Sequence, residues 1–328
     1  MKTRRILFLL VPLLLLTAAA GLYFGSTPLT LVQLTDAVTG RGAETIRTVL
    51  FQLRLPRVIA GMLSGVGLSV AGVLLQSVTA NELASPNIIG INSGAGLAVV
   101  LMLTAFPAAG KLLPVGAFLG AFAAALLILL AADRLGGSRT KVLLMGIAIT
   151  TVLNAAISFF ALLDEGVLAQ YNHFTVGSLK AVRMTDLWLP ALIIFLSAGA
   201  SMVLSGRLGV LCMGDAVAVS LGIPVRRLRI FALACAAACA ASVVSFAGLL
   251  GFVGLVIPHI AKRLVGQQPV RLLPVSALCG AILVILADLL GRVLFAPSEL
   301  PVGILMSLIG APYFFILLCR RKYHADLS

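Results

Sequence analysis

The sequence predicts an all-helical, polytopic membrane protein with about ten transmembrane helices. Three observations lead there. Of 328 residues, 61% are hydrophobic and only 11% charged, whereas a soluble domain carries roughly 25% charged residues; this chain lacks the polar surface that water requires. Its apolar residues fall in runs near the ~20-residue length that crosses a bilayer as a helix. Its Lys and Arg residues sit in the short gaps between those runs, unequally shared between the two sides. The same figures exclude other classes. Five Cys do not make a disulfide scaffold. The net charge of +13 comes without the aromatic-interleaved basic runs that a nucleic-acid partner would need.

In chain order, the apolar stretches lie near 6–24, 58–79, 88–106, 112–132, 142–162, 187–205, 230–248, 252–266, 272–294 and 301–319. The first follows Lys2, Arg4 and Arg5 and runs into Ala18-Ala19-Ala20, as a signal peptide does. Its 19 residues from Ile6 to Phe24 exceed a usual signal core, and nothing after it looks like a secreted domain, so it reads as a retained span. The eighth stretch is short, with Gly251 and Gly254 blurring its start. If the N-terminus is inside, 16 of the 24 Lys and Arg residues fall in cytoplasmic segments and eight outside. That bias predicts two cytoplasmic termini and an even number of spans.

The longest polar gaps, 25–57, 163–186 and 206–229, are each too short for a packed core, so 1–328 reads as a single membrane domain. The second and seventh stretches look alike. Each follows a Pro/Arg cluster, and Ala71 to Leu75 (Ala-Gly-Val-Leu-Leu) echoes Ala247 to Leu250 (Ala-Gly-Leu-Leu). An offset of five spans would insert the copies in opposite directions, as in transporters built from inverted repeats. Glycines such as Gly61, Gly65, Gly67 and Gly72, then Gly90, Gly94 and Gly96, allow close helix packing.

No catalytic constellation is present. The G-x-x-x-x-G-K-[ST] pattern for a nucleotide is missing, with Gly110-Lys111 followed by Leu. His173, His259 and His324 are scattered, without the spacing of a metal site. Cys235 and Cys239 share a helix face and read as small buried thiols. Asp288 falls inside the ninth stretch, where a lone carboxylate is costly, and Arg292 lies on the same helical face; an ion pair and a role at an external mouth both fit. Arg54 and Arg57, outside the membrane in Leu-Arg-Leu-Pro-Arg, suit either phosphate headgroups or the carboxylates of an acidic partner. In 206–229, glycines divide two short segments of helical composition with more apolar residues than a bare loop needs, which reads as a docking surface for a cytoplasmic protein.

At this point the motifs resemble a known family, the FecCD-type permeases of bacterial ABC importers for iron–siderophores, haem and cobalamin. The resemblance rests on LRLPR (53–57), NELASPNIIGINSGAG (81–96), LGVLCMGDAVAVSLGIPV (208–225), GFVGLVIPHIAKRLVG (251–266), LLPVSALCGAILVILADLLGR (272–292) and ELPVGILMSLIGAPYFFILL (299–318), in order and at family spacing. It implies a cobalamin-importer-permease-like fold of the type II class, dimeric as a homodimer or with a paralogue, in the bacterial cell membrane. It also implies two cytoplasmic ATP-binding subunits, an extracytoplasmic substrate-binding protein and a ferric chelate, foremost a ferric siderophore, as cargo. No resident cofactor and no catalysis in this chain are expected. By motif, Arg54, Arg57 and Arg292 fall where the binding protein docks. Leu211, Gly214, Asp215, Ala218, Leu221 and Gly222 fall in the ATPase coupling loop, and Asn81, Leu83 and Thr140 at the gate. One departure is Glu82, where the family usually has Pro, which sets a mobile charge beside the inner gate. A proton- or sodium-coupled secondary transporter is the alternative, with Asp288 as its one in-span carboxylate.

Overall fold

The computed structural model of the chain describes residues 2–27, 29–87, 90–108, 110–134 and 139–325, and among them it is helical with no strand. α1 (Lys2–Tyr23), α2 (Leu31–Thr39) and α3 (Glu44–Thr48) lead through a π-helical stretch, Val49–Arg54, into α4 (Leu55–Thr79). Then come α5 (Ile91–Ala105), α6 (Leu113–Arg134), α7 (Arg139–Ala161), α8 (Glu165–Val176), α9 (Met184–Val203), α10 (Ser205–Met213) and α11 (Asp215–Ser220). α12 (Val225–Ala247), α13 (Val253–Val265), α14 (Pro269–Val293) and α15 (Val302–Ala325) complete the chain.

Among the described residues, seven helices are long and apolar enough to cross a membrane on their own. The other apolar stretches carry shorter elements: α5, α13 and the apolar part Val302–Ile316 of α15. The packing centre is α4, flanked by α12, α13 and α14, while α1, α7 and α9 turn most of their side chains outward. Phe8, Leu162 and Val203 are exposed, as apolar residues facing lipid should be.

The helices of the centre touch through glycine. A Cβ on Gly65 would sit 2.2 Å from the Gly280 carbonyl, and one on Gly72 2.0 Å from the Gly254 oxygen. Without a hydrophobic drive between helices in lipid, backbone-to-backbone contact of this kind is what holds a bundle together.

Two of the polar gaps hold more structure than their composition promised. Residues 25–57 contain α2, whose Thr30 caps Gln33 reciprocally, and a helix that starts at Glu44, well before the predicted start at 58. Proline ordinarily sits at a helix start, because it lacks an N–H and clashes with the preceding turn, yet the helix runs on through Pro56. Here the wider π-helical turn just before it absorbs that conflict. Residues 163–186 contain α8, capped by the Asp164 carboxylate, which accepts from Gly166 N at 2.7 Å. The repeated Ala-Gly motif is not locally equivalent: Gly72 lies inside α4, whereas Gly248, at φ +70, ends α12. In helix lengths the two segments run alike, a long helix preceding a short one both in α4–α5 and in α12–α13.

Candidate functional sites at the two faces

The far face, opposite Lys2, holds a buried cluster of charges. Arg57 stands on the first turn of α4 and Asp288 and Arg292 on the last two turns of α14. Arg57 Nε donates to both Asp288 oxygens at 2.9 and 3.0 Å, and its Nη1 donates to Glu299 Oε2 at 2.8 Å. Arg292 Nε lies 3.1 Å from Asp288 Oδ2, and its Nη atoms donate to the Gly21 carbonyl at 3.2 Å. Arg54 Nη1 donates to the Leu22 and Tyr23 carbonyls at 2.8 and 2.5 Å, and Nη2 bonds the Thr27 carbonyl. These carbonyls belong to the end of α1 and the turn after it, so a positive group there also suits the helix dipole.

The three arginines expected at a docking face are therefore turned inward here. Arg54, Arg57 and Arg292 are 4%, 7% and 2% exposed, and their partners all belong to this chain. Asp288 is the pivot, paired with two guanidinium groups rather than one. A buried carboxylate between two arginines is tolerable only because its charge is answered on both sides.

Glu299 is the most open member of the cluster, and Ser26 Oγ donates to it at 3.0 Å. Burial pushes its carboxyl up, but hydrogen bonds from Arg57 and Ser26 and the charges of Arg57 and Lys180 outweigh that and hold it below its ordinary value of 4.5. A depressed carboxylate stabilises above its unfolded value and loses that contribution as pH falls through the folded one. Spin labels at Leu31 and Ser298, both exposed, should thus keep one distance distribution from about pH 8 to about pH 5, and broaden only below the ordinary carboxylate range. Broadening near neutrality would contradict the assignment.

The near face presents α10 and α11, joined at Gly214 (φ +131) and closed at Gly222 (φ +72). Of the predicted coupling residues, Leu211 and Ala218 are fully buried anchors. Asp215 is tied to Arg229 of α12 at 2.8 Å. Gly214 and Gly222 supply the left-handed backbone, and Leu221 is exposed. The outward apolar surface includes residues that the sequence pattern did not single out: Met213 is 72% and Val219 64% exposed, like Leu221. Arg226 on α12 pairs with Asp133 on α6, its Nε donating at 2.7 Å, so the helix that follows this loop is itself tied to α6.

At the end of α4, Ala80 adopts φ +47. The Asn81 side chain then accepts from Leu83 N at 2.9 Å, forming a tight turn. Glu82, expected as a mobile charge, faces Lys262 of α13 at 3.5 Å. The side chain of Thr140, at the start of α7, lies outside the described residues.

Between the faces, α15 passes close to the end of α8. Gly303 makes this possible, since a Cβ there would sit 1.9 Å from the Val176 carbonyl. Two cavities flank the contact. One of about 540 Å³ lies against the starts of α5 and α13, and one of about 760 Å³ opens toward the far face.

Comparison with known proteins matches this architecture. A model of the FecCD transport family covers residues 13–320. The iron(3+)-hydroxamate import system permease protein FhuG of Bacillus subtilis is 40% identical, over 86% of this chain and 87% of that one. The hemin transport system permease protein HmuU of Yersinia pestis is 33% identical, over 98% and 97%. A solved structure of the metal-chelate ABC transporter type, in an inward-facing conformation, superposes with a TM-score of 0.88 at 30% identity, covering 97% of this chain and 99% of that one.

Proposed function

The chain belongs to the FecCD transport family, and from that premise we propose how it works. It is a multi-pass permease subunit of an ATP-binding-cassette importer, and its cargo is an iron chelate. The family match across nearly the whole chain carries this reading. In this reading the Lys2 face is cytoplasmic, both termini lie there, and the membrane is the bacterial cell membrane. A second permease copy or paralogue completes the pathway.

Two ATP-binding subunits engage α10 and α11. The support is physical: Met213, Val219 and Leu221 expose apolar side chains on a face otherwise rich in charge, and such a patch needs a partner. Leu211, Ala218 and the Asp215–Arg229 pair make the element rigid enough to push on α12. Differential binding of the ATPase states then drives alternating access. The turn at Asn81 and Leu83, with Thr140, forms the inner gate, and the Glu82–Lys262 pair steadies it.

At the far face, a substrate-binding protein docks over Arg54, Arg57 and Arg292. Since the guanidinium groups already hold internal partners, docking is an exchange. An incoming carboxylate takes the place of Glu299, the most open partner of Arg57, while Arg54 and Arg292 keep the end of α1 in position. Asp288, held between two arginines, is unsuited to the proton-shuttling duty that a secondary transporter would assign it.

The test is a Met213→Glu, Leu221→Glu double variant. Both side chains are exposed, so expression and melting temperature should match the parent, while the ATPase no longer co-purifies and ATP-driven uptake falls by roughly 100-fold, the equivalent of about 3 kcal/mol of lost contact. Parental uptake in that variant would refute the docking surface.

A further inference from the structure

Resting on the ATPase docking described above, we propose that the ion pair between Asp133 and Arg226 is the joint through which movement of α10 and α11 reaches α6, and through α6 the inner gate on α7. The argument starts from a cavity of about 600 Å³ at the near face, lined by α6, α7, α11 and α12. Deeper in the bundle α12 packs directly against α6. At this end the cavity parts them, with Leu129 of α6, Val142 of α7 and Leu233 of α12 along its wall. Apolar side chains that face an open space have no partner atoms there and pass on no push. A tie between the helices at this end has to bridge the gap.

Two ion pairs do so. Arg229 Nη2 donates to Asp215 Oδ2 of α11 at 2.8 Å. Arg226 donates to Asp133 of α6 through Nε at 2.7 Å, and its Nη2 bonds the second oxygen of the same carboxylate. All four residues line the cavity. Arg226 and Arg229 are three residues apart, hence on one face of α12. The first turns of α12 thus hold α11 with one arm and α6 with the other.

A two-pronged guanidinium–carboxylate contact fixes direction as well as distance, so Asp133 has to follow Arg226 when α12 tilts or turns. α6 packs in turn against α7, whose first turn carries Thr140. The order α11, α12, α6, α7 leads from the docking surface to the gate along the near face.

Exposure separates this role from a structural one. The Arg226 side chain is 76% exposed and that of Asp133 16%, and ion pairs open to water add little to stability. Asp133 and Arg226 are therefore positioning residues: they orient α6 and touch no cargo.

The test uses the permease with its ATP-binding subunits in lipid nanodiscs. Spin labels carried on unnatural amino acids replace Leu127 of α6 and Val270 of α14, both exposed. In the parent, trapping with ATP and vanadate should move the distance between them by about 2 Å or more, the scale of helix shifts in switching proteins. Asp133→Asn should cut that movement to less than half, while the ATPase still co-purifies and the melting temperature stays within about 2 °C of the parent. Asp133→Glu keeps the carboxylate and should retain most of the movement. Full movement in Asp133→Asn overturns the proposal, and so does an Asp133→Glu variant that behaves as Asp133→Asn does. Loss of the ATPase or a lowered melting point in Asp133→Asn also overturns it, since the pair would then be structural. A parent whose labels do not respond to ATP and vanadate overturns instead the ATP-driven reading on which the proposal rests.

Discussion

Replacing Asp288 with Ala should lower the melting temperature of the purified chain by roughly 6–20 °C. The carboxylate is 2% exposed and is held by Arg57 and Arg292, which are 7% and 2% exposed. Removing it leaves two buried guanidinium groups facing each other across the gap. Breaking a buried pair by deleting one partner typically costs about 3–5 kcal/mol, and in domains of about 150–250 residues each kcal/mol moves the midpoint by about 2–4 °C. The converse also follows. A triple variant, Asp288→Leu with Arg57→Met and Arg292→Met, removes all three charges together and should recover most of the lost stability, because apolar replacement of a whole buried network is often neutral. Thermal unfolding in one detergent for parent, single and triple variants decides the matter. A single variant melting within about 1 °C of the parent would show that the network is not what fixes α14 to α4.

The second large effect is expected at Gly72. An added methyl group would meet the Gly254 oxygen at 2.0 Å, a distance no contact tolerates, and the neighbour is backbone that cannot swing aside. Gly72→Ala should therefore cost at least the ~1–3 kcal/mol of overpacking and push α13 away from α4. As α13 carries Lys262, the partner of Glu82, uptake should fall along with stability. Gly199 on α9 is the control, since nothing lies within 4 Å of a Cβ built there. Gly199→Ala should be neutral or slightly stabilising, because alanine is the better helix former. Size-exclusion profiles and uptake for the two variants give the comparison; equal behaviour would mean the α4–α13 crossing can loosen without consequence.

Much of the fold was legible in the sequence because a bilayer imposes a length rule on apolar runs, and α1, α6, α9 and α12 obey it closely. The pair α10–α11 was legible too, since Gly214 divides it and Gly222 closes it. The helices α2, α3 and α8 were hidden by polarity. For α2 and α8 the caps were nonetheless written in the chain: Thr30 with Gln33, Gly40 after Thr39, Asp164 before α8 and Gly177 after it. Hydropathy does not register such signals; hydrogen-bond accounting does.

The arginine cluster divides differently. Residue type and place at the end of a span could be read for Arg54, Arg57 and Arg292. The direction of each guanidinium could not, because their partners lie far along the chain: Arg57 and Glu299 are 242 residues apart. Nor does position alone say that Glu82 finds Lys262. Pairings of this kind arise only when distant helices have packed.

The way α1 is fastened bears on how the chain is made. This helix leaves most of its surface to lipid, and its outer end is gripped by Arg54 and by Arg292, whose contact with Gly21 spans 271 residues. Arg54 emerges from the ribosome soon after α1, but Arg292 follows only 238 residues after Arg54. At about 5–20 residues per second, α1 waits in the bilayer half-moored for many seconds, and its final berth closes only with α14. Chains cut short before residue 292 would carry a loosely held amino-terminal helix, a mark by which membrane proteases could tell an unfinished subunit from a finished one.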